Sequence, residues 1–471
     1  MNSLDSNVIG RRAFLRRGMG LGFLGLTALG GADWLLRDAR AGQGALTQLQ
    51  FPQRAKRVIF LYMSGGPSQL ETFDNKPELA RRAMQPMPES LIAGTPVAQL
   101  KMEARALCFP PHFPFARYGK SGQEISSVLP HTAKIADDIT IVRSMVTDAI
   151  NHDPAHSLMN SGAALAGRPS MGSWIYYGLG SESENLPGFV VLISTGKFFP
   201  TQPFSSRLWH NGFLPGSVAG VHFSSGGDAL PYLSRPRGIS AGEQRSVVSA
   251  INQLEGLNPE ARPADINERV SQYEMAFRLQ RSAPELTDFS KESPAVLKLY
   301  GVNGPDGSFA ANCLLARRMA ERGVRFVQVF HREWDHHNFL EKGMRETCAE
   351  VDQGCAALIQ DLKARDMLKD TLVVWGGEFG RTPMKQMAGR DHHMKAFSIW
   401  MAGGGVKGGF TYGKTDDLGY NVVENPMHVN DLHATMLYLL GIDHKRLTVR
   451  AQGRDMRLTD VGGNVVKEIL A

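Results

Sequence analysis

Six short runs of apolar residues, rich in β-branched and aromatic side chains, are spread along the sequence. Continuous runs of this kind are typical of strands that are buried on both faces of a sheet, because apolar residues do not alternate with polar ones. They predict strands at residues 57–63, 139–143, 189–193, 324–330, 371–375 and 397–402.

Helical periodicity separates several of these runs. It predicts helices at 129–137, 155–166, 308–322 and 339–368, the last with Glu and Lys on its polar face. Alternating strands and helices favour an α/β fold, with a doubly wound, mostly parallel sheet and helices on both faces. We expect a single domain over residues 42–471, with a loop-rich and helical insertion at about 195–293, where Gly, Pro and Ser and then charged residues are frequent.

The N-terminus has the features of an export signal. The pair Arg11-Arg12 is followed by a Gly-rich apolar stretch at 19–31 and an A-x-A cleavage site at 39–41. We expect residues 1–41 to direct the folded protein through the twin-arginine export machinery to the periplasm or the extracellular space. A membrane anchor is the alternative, but this stretch is short, and no later segment has the roughly 20 apolar residues of a stable transmembrane span.

The charge balance of the predicted mature protein is nearly even. The 471 residues carry a formal net charge of +6, but residues 1–41 hold six arginines against three aspartates. The remainder has 46 basic and 43 acidic residues, so there is no electrostatic reason to expect nucleic acid as a partner. The 4 cysteines include no C-x-x-C pair, which argues against a disulfide framework and a cysteine zinc site.

Polar residues follow four of the predicted strands. In an open parallel sheet, ligands bind outside the carboxyl ends of the strands, so these residues are the candidates for chemistry. Residues 331–337 alone contain three of the 14 histidines. The D-x-H spacing lets Asp335 and His337 reach one ion, whereas the adjacent Asp391 and His392 can do so only if the backbone turns.

Imidazole and carboxylate groups together suit a borderline divalent cation. The four residues Asp335, His337, Asp391 and His392 therefore predict a divalent metal: zinc, manganese or calcium. The alternative for any single histidine is a surface or loop-capping role.

Four further residues at strand ends are catalytic candidates: Ser68, His152, Glu378 and Arg381. Ser68, in a Gly-Gly-Pro-Ser turn, is either a nucleophile or a helix N-cap. The guanidinium of Arg381 matches phosphate or sulfate oxygens, but an ion pair with Glu378 or a neighbouring carboxylate is equally compatible with its position. His152 and Glu378 join the set because they follow the predicted strands at 139–143 and 371–375.

Five motifs occur in order along the chain. They are Gly-Gly-Pro-Ser-Gln-Leu-Glu-Thr-Phe-Asp-Asn-Lys-Pro at 65–77, Trp-Asp-His-His at 334–337, Glu-Phe-Gly-Arg-Thr-Pro at 378–383, Gly-Arg-Asp-His-His at 389–393, and Asp-Leu-His-Ala-Thr-Met-Leu-Tyr-Leu-Leu-Gly at 431–441. Together they closely resemble DUF1501, a family of exported bacterial proteins that is regarded as sulfatase-like, within the alkaline phosphatase superfamily. The likeness covers nearly the whole predicted mature chain.

The resemblance implies a site at the strand ends. In the superfamily, one or two divalent metals and a nucleophile act on phosphate or sulfate esters. Asp335 with His337 and Asp391 with His392 would be ligands, and His433 or His428 would supply the last one. The sequence departs from the superfamily after the first strand, where Ser64–Ser68 replace the usual metal-binding Asp, and it lacks the C-x-P-x-R motif from which formylglycine is made.

Two functions follow. The first is a sulfatase-like, metal-dependent hydrolase of a small anionic ester of phosphate or sulfate outside the cytoplasm. The second is a catalytically degenerate envelope protein of the same fold that serves in binding or assembly, as the missing first-strand Asp would favour. A broad ester panel assayed with several metals separates the two. The hydrolase also requires Asp335, His337, Asp391 and His392 to converge in the folded chain.

Overall fold

The protein is built around one nine-stranded sheet, seen in a computed structural model. The structure describes residues 44–92, 106–196, 204–226 and 282–471, with scattered residues in 229–281. The predicted export signal at 1–41 lies outside the described residues. Seventeen strands are described: β1 Arg57–Met63, β2 Phe115–Tyr118, β3 Gln123–Ser126, β4 Ile139–Val146, β5 Phe189–Ile193, β6 Val221–Phe223, β7 Phe326–His331, β8 Thr371–Gly376, β9 Gly380–Gln386, β10 Gly389–His393, β11 Phe397–Ala402, β12 Phe410–Tyr412, β13 Lys414–Thr415, β14 Val422–Glu424, β15 Met427–His428, β16 Val449–Ala451 and β17 Arg454–Met456.

The order in the main sheet is β12-β4-β11-β8-β1-β7-β5-β6, and β15 also pairs with β4. Strands β8, β1, β7, β5 and β6 are parallel neighbours. Among these nine described strands, β11 alone runs against the others, between β4 and β8. The predicted α/β fold with a mostly parallel sheet is therefore confirmed.

Helices cover both faces of this sheet. The described helices are α1 Gln69–Thr72, α2 Pro77–Arg81, α3 Glu89–Ile92, α4 His152–Ser161, α5 Met171–Leu179, α6 Pro294–Tyr300, α7 Phe309–Glu321, α8 Leu340–Ala364 and α9 Val429–Leu439. Alternate residues of β1 enter two separate hydrophobic clusters: Leu61 packs on the side of α7 and α8, and Phe60 on the side of α4, α5 and α9. Burial on both faces explains why the strands are continuous apolar runs.

All six predicted strands lie in the main sheet, three of them with the predicted bounds. Within the loop-rich part of the predicted insertion at 195–293, the short strand β6 extends the sheet beside β5. The helix expected at 129–137 is a 3₁₀ helix at Thr132–Asp138. Most of the helical part of the predicted insertion lies outside the described residues. None of the described helices has the length and hydropathy of a membrane span.

Candidate metal centre

The site lies at the carboxyl edge of the sheet, where β1, β7 and β8 end side by side. Met63 pairs with His331 and Tyr62 with Gly376, so the segments that follow start at one level. The turn after β1 then passes very close to the loop after β7. Gly65 has φ +118°, and a Cβ there would lie 2.6 Å from the backbone nitrogen of Asp335. Glycine is required at this turn because any side chain would displace that loop.

The hairpin β9–β10 carries the second pair of predicted ligands. Its register shifts between Arg390 and His392, which is a β-bulge at Asp391. A bulge re-aims neighbouring side chains that would otherwise point to opposite faces of a strand. The backbone N–H of His392 donates to Asp391 Oδ1 at 2.8 Å. The bulge is the change of backbone direction that Asp391 and His392, as adjacent residues, need to reach one ion.

The side chains of Asp335, His337 and His392 meet in one cluster. Asp335 Oδ1 lies 2.9 Å from His337 Nε2 and 3.2 Å from His392 Nε2, and the two ring nitrogens are 3.0 Å apart. Asp391 also lies close, because one ligand atom each from His337, Asp391 and His392 falls within 4.8 Å of the others. The structure thus brings together all four residues whose convergence was predicted.

The other nitrogen of each imidazole is held by an acceptor. His392 Nδ1 donates to the carbonyl oxygen of Ile150 at 2.8 Å, and His337 Nδ1 donates to Gln386 Oε1. When these rings are neutral, their Nε2 atoms therefore carry lone pairs. Those lone pairs face each other and the carboxylate of Asp335. Such an arrangement is repulsive unless protons or a cation lie between them.

The donor set fits a divalent ion. Tetrahedral zinc with ligands at 2.0–2.1 Å separates its donor atoms by about 3.3 Å, close to the spacing of Asp335 Oδ1 and the two Nε2 atoms. Among the described residues, the carboxylates of Asp335, Glu378 and Asp391 share the cluster with one guanidinium, that of Arg381. A divalent cation would balance the two remaining negative charges.

Arg381 is fully buried behind this cluster. Its Nη2 donates to Asp335 Oδ1 at 2.5 Å, and its Nε donates to the carbonyl of Gly66 at 2.9 Å. Further bonds go to the carbonyls of Gly65 and Arg390. The structure thus places Arg381 in the ion pair with a neighbouring carboxylate that was its alternative, and its donors are directed into the protein. In this position it joins three loops, and each of its three nitrogens donates to a protein oxygen.

Glu378 and His152 lie beside the cluster. The carboxylate of Glu378 is fully buried and accepts bonds from the N–H of Gly65 at 3.0 Å and from His152 Nδ1 at 2.7 Å. Burial would raise the pKa of Glu378, but the nearby His156 and His152 lower it to about 2. One ligand atom each of His152, His156 and Glu378 lies within 4.8 Å of the others, and the same holds for His152, Asp335 and His392.

Ser64 and not Ser68 contacts a histidine of the site. Ser64 Oγ lies 3.3 Å from His156 Nε2, and the hydroxyl of Tyr62 lies 2.7 Å from His156 Nδ1. Ser68 is buried at the N-cap of α1, where its hydroxyl makes no hydrogen bond to the described residues. Neither His156 nor Tyr62 was predicted as a catalytic or metal-binding residue. The spacing of His152 and His156, four apart on one helix face, is the signal that indicates a second imidazole.

The structure does not bring His433 to the cluster. Its Nε2 donates to the carbonyl of Met159 at 2.8 Å, and burial lowers its pKa to about 4. Among the described residues, no group of ligand atoms close enough to share an ion includes it. His428 instead caps α9 and pairs with Asp148 at 3.0 Å. Neither histidine supplies the last ligand in this geometry.

The family model for DUF1501, described as a protein of unknown function, matches residues 55–470. The chain belongs to the DUF1501 family. The family that the five motifs indicated is therefore confirmed for this DUF1501 protein. No curated protein matches its sequence.

Several solved structures are distantly similar to the DUF1501 protein. A phosphonate monoester hydrolase from Silicibacter pomeroyi is 11% identical, with 88% of this chain and 76% of that chain covered and a TM-score of 0.36. A sulfatase from Pseudoalteromonas sp. is 12% identical over 83% and 68% of the two chains, with a TM-score of 0.35. Alkaline phosphatase from the Antarctic bacterium TAB5 is 10% identical over 82% and 99%, with a TM-score of 0.29. Likeness at this level assigns no reaction.

Proposed function

We propose that this DUF1501 protein is a metal-dependent hydrolase of small phosphate or sulfate esters. The observation that carries the proposal is the convergence of Asp335 Oδ1, His337 Nε2 and His392 Nε2 within 3.2 Å of one another, with both rings anchored through Nδ1. Bound there, zinc or manganese would supply a Lewis acid for an ester oxygen and a water of lowered pKa.

The protein's own residues set the geometry and the access. Asp391 and the carbonyl of Ile150 hold His392, and Arg381 holds Asp335. Solvent reaches the centre from one side, since the side chains of Asp335 and His337 are 25% and 16% exposed, whereas that of Arg381 is 0% exposed. A small anionic ester would enter from this open side.

Metal content and activity test this proposal together. Protein purified from its exported, folded form should contain a divalent metal and hydrolyse at least one ester of a phosphate and sulfate panel assayed with added Zn²⁺ or Mn²⁺. Asp335→Asn and His392→Gln should lose both properties. His393→Gln is the matched control, because His393 is the neighbouring buried histidine and its Nε2 donates to the carbonyl of Tyr420. Equal metal content in the native protein and all three variants would exclude the metal centre.

A non-catalytic envelope role is the second candidate. It is favoured by the burial of Arg381, whose guanidinium donates to protein oxygens, and by a serine, Ser64, after β1. Stoichiometric metal without hydrolysis across the ester panel would support this role. Ester hydrolysis that disappears in Asp335→Asn would exclude it.

Export by the twin-arginine route is part of the proposal. The Arg11-Arg12 pair and the apolar stretch after it support it. Cell fractionation after Arg11→Lys with Arg12→Lys should move the protein from the periplasm to the cytoplasm. Unchanged periplasmic recovery would contradict this route.

A further inference from the structure

His152 points its second ring nitrogen at the same carboxylate as His337 and His392. It is the first residue of α4, and its Nε2 lies 3.2 Å from Asp335 Oδ2. This atom is buried, yet it makes no contact with the geometry of a hydrogen bond. The separation of these two atoms is close to the spacing of about 3.3 Å between donor atoms on one tetrahedral ion.

The contact with Glu378 decides which nitrogen of His152 carries the proton. An ionised carboxylate only accepts hydrogen bonds, so the 2.7 Å contact between His152 Nδ1 and Glu378 Oε1 requires the proton on Nδ1. The lone pair of the neutral ring then lies on Nε2, directed at Asp335. Glu378 is itself held in place by the backbone N–H of Gly65.

Three histidines therefore share one arrangement. Each ring donates through Nδ1 to a fixed acceptor, namely Gln386, the carbonyl of Ile150, or Glu378, and each presents Nε2 to Asp335. His337 and His392 approach Oδ1, and His152 approaches Oδ2. Metal-bound histidines typically donate their other N–H to a carboxylate or a carbonyl in this way.

We propose that His152 is a further ligand of the cation at Asp335, and that Glu378 is the positioning residue that holds its ring. The inference rests on the proposed metal centre and assigns both residues a role other than proton transfer. A set of three imidazoles and one carboxylate selects zinc or manganese over calcium, which prefers oxygen ligands.

Cobalt titration of the full-length, metal-free protein tests this assignment, because Co²⁺ occupies such sites and its visible absorption reports the ligands. His152→Ala should weaken Co²⁺ binding on the order of 100-fold, and Glu378→Gln by about 10- to 100-fold. Glu350→Gln is the matched control, since Glu350 accepts a bond from His331 Nε2 at 2.9 Å outside the cluster. It should bind as the native protein does.

His152→Cys distinguishes a ligand from a structural residue. A thiolate at this position should restore binding and add a sulfur-to-cobalt charge-transfer band, which a purely structural role would not produce. A native-like cobalt spectrum in both His152→Ala and His152→Cys would overturn the inference and leave the centre at Asp335, His337 and His392 intact. Two Co²⁺ per chain, with one lost in His152→Ala, would overturn it in favour of a separate ion held with His156 and Glu378.

The outcomes for the two proposals are separate. A native protein that binds no Co²⁺, Zn²⁺ or Mn²⁺ removes the proposed function and this inference with it. Binding that His152→Ala leaves within twofold of native removes the inference alone. Loss in His152→Ala without loss in Glu378→Gln removes the role of Glu378.

Discussion

Arg381 Nη2 donates a hydrogen bond of 2.5 Å to Asp335 Oδ1, and the guanidinium is fully buried. The same oxygen faces the Nε2 atoms of His337 and His392. Burial raises the pKa of Asp335, but Arg381 and the three histidines outweigh burial and lower it far below its ordinary value. The lowered pKa favours the ionised form of Asp335, which is the form that binds a metal.

Arg381→Met should cost on the order of 3 kcal/mol of unfolding free energy, because it removes a buried guanidinium from its ion pair with Asp335 and leaves the carbonyls of Gly65 and Gly66 without their donor. Urea unfolding of the metal-free protein measures this loss. Arg450→Met is the control, since the exposed pair of Arg450 with Asp455 should contribute less than about 1 kcal/mol. If Arg381→Met were as stable as the native protein but bound inorganic phosphate more weakly, Arg381 would have to be assigned to direct anion binding.

Gly65→Ala should destabilise the protein and weaken metal binding together. The new Cβ would overlap the backbone at Asp335 and shift that ligand. Gly122→Ala is a matched control, because Gly122 also has a positive φ of +68° but nothing lies within 4 Å of an added Cβ. The control should lose about 1–2 kcal/mol of stability from backbone strain alone and keep its metal. Equal metal affinity in both variants would show that the turn does not position Asp335.

Removal of the metal should make stability fall at alkaline pH. Burial disfavours protonation of His152, but contacts with Asp335 and Glu378 outweigh it and raise its pKa to about 9 in the metal-free protein. In the unfolded chain, His152 has a pKa of about 6.5. Its protonated form therefore stabilises the folded state fully below about pH 6.5, and this stabilisation is lost as the pH rises through 9. Unfolding with a chelator should show a decline approaching 1.4 kcal/mol per pH unit across this window, and His152→Asn should lack it. A decline of equal slope in His152→Asn would assign it to another group.

The buried His433 should contribute to acid sensitivity. Its pKa is lowered to about 4 by burial, so between about 6.5 and 4 the unfolded chain binds a proton that the folded chain does not. Stability from this residue is therefore present above pH 6.5 and falls as the pH drops towards 4. When the pH is lowered from 6.5 to 5, the unfolding free energy of His433→Gln should fall by about 2 kcal/mol less than that of the native protein. Its metal content should equal that of the native protein, whereas a loss of metal would return His433 to the ligand set.

Local patterns in the sequence determined the fold class and the place of the site. The apolar runs of β1, β5 and β11 have the predicted bounds, because a strand buried on both faces leaves a pattern that depends only on neighbouring residues. The parallel direction of β1, β7 and β8 then places Asp335 and Glu378 at one edge. The acidic and imidazole residues of this edge were therefore recognisable in the linear chain.

Only the tertiary structure decided what each side chain faces. The bulge at Asp391, the burial of Arg381 and the distance of His433 from the cluster depend on contacts between segments far apart in the sequence. The same is true of the proton on His152 Nδ1, which is set by Glu378, 226 residues away. Side-chain direction at a strand end is set by the loops that pack there, and no periodicity within one segment records it.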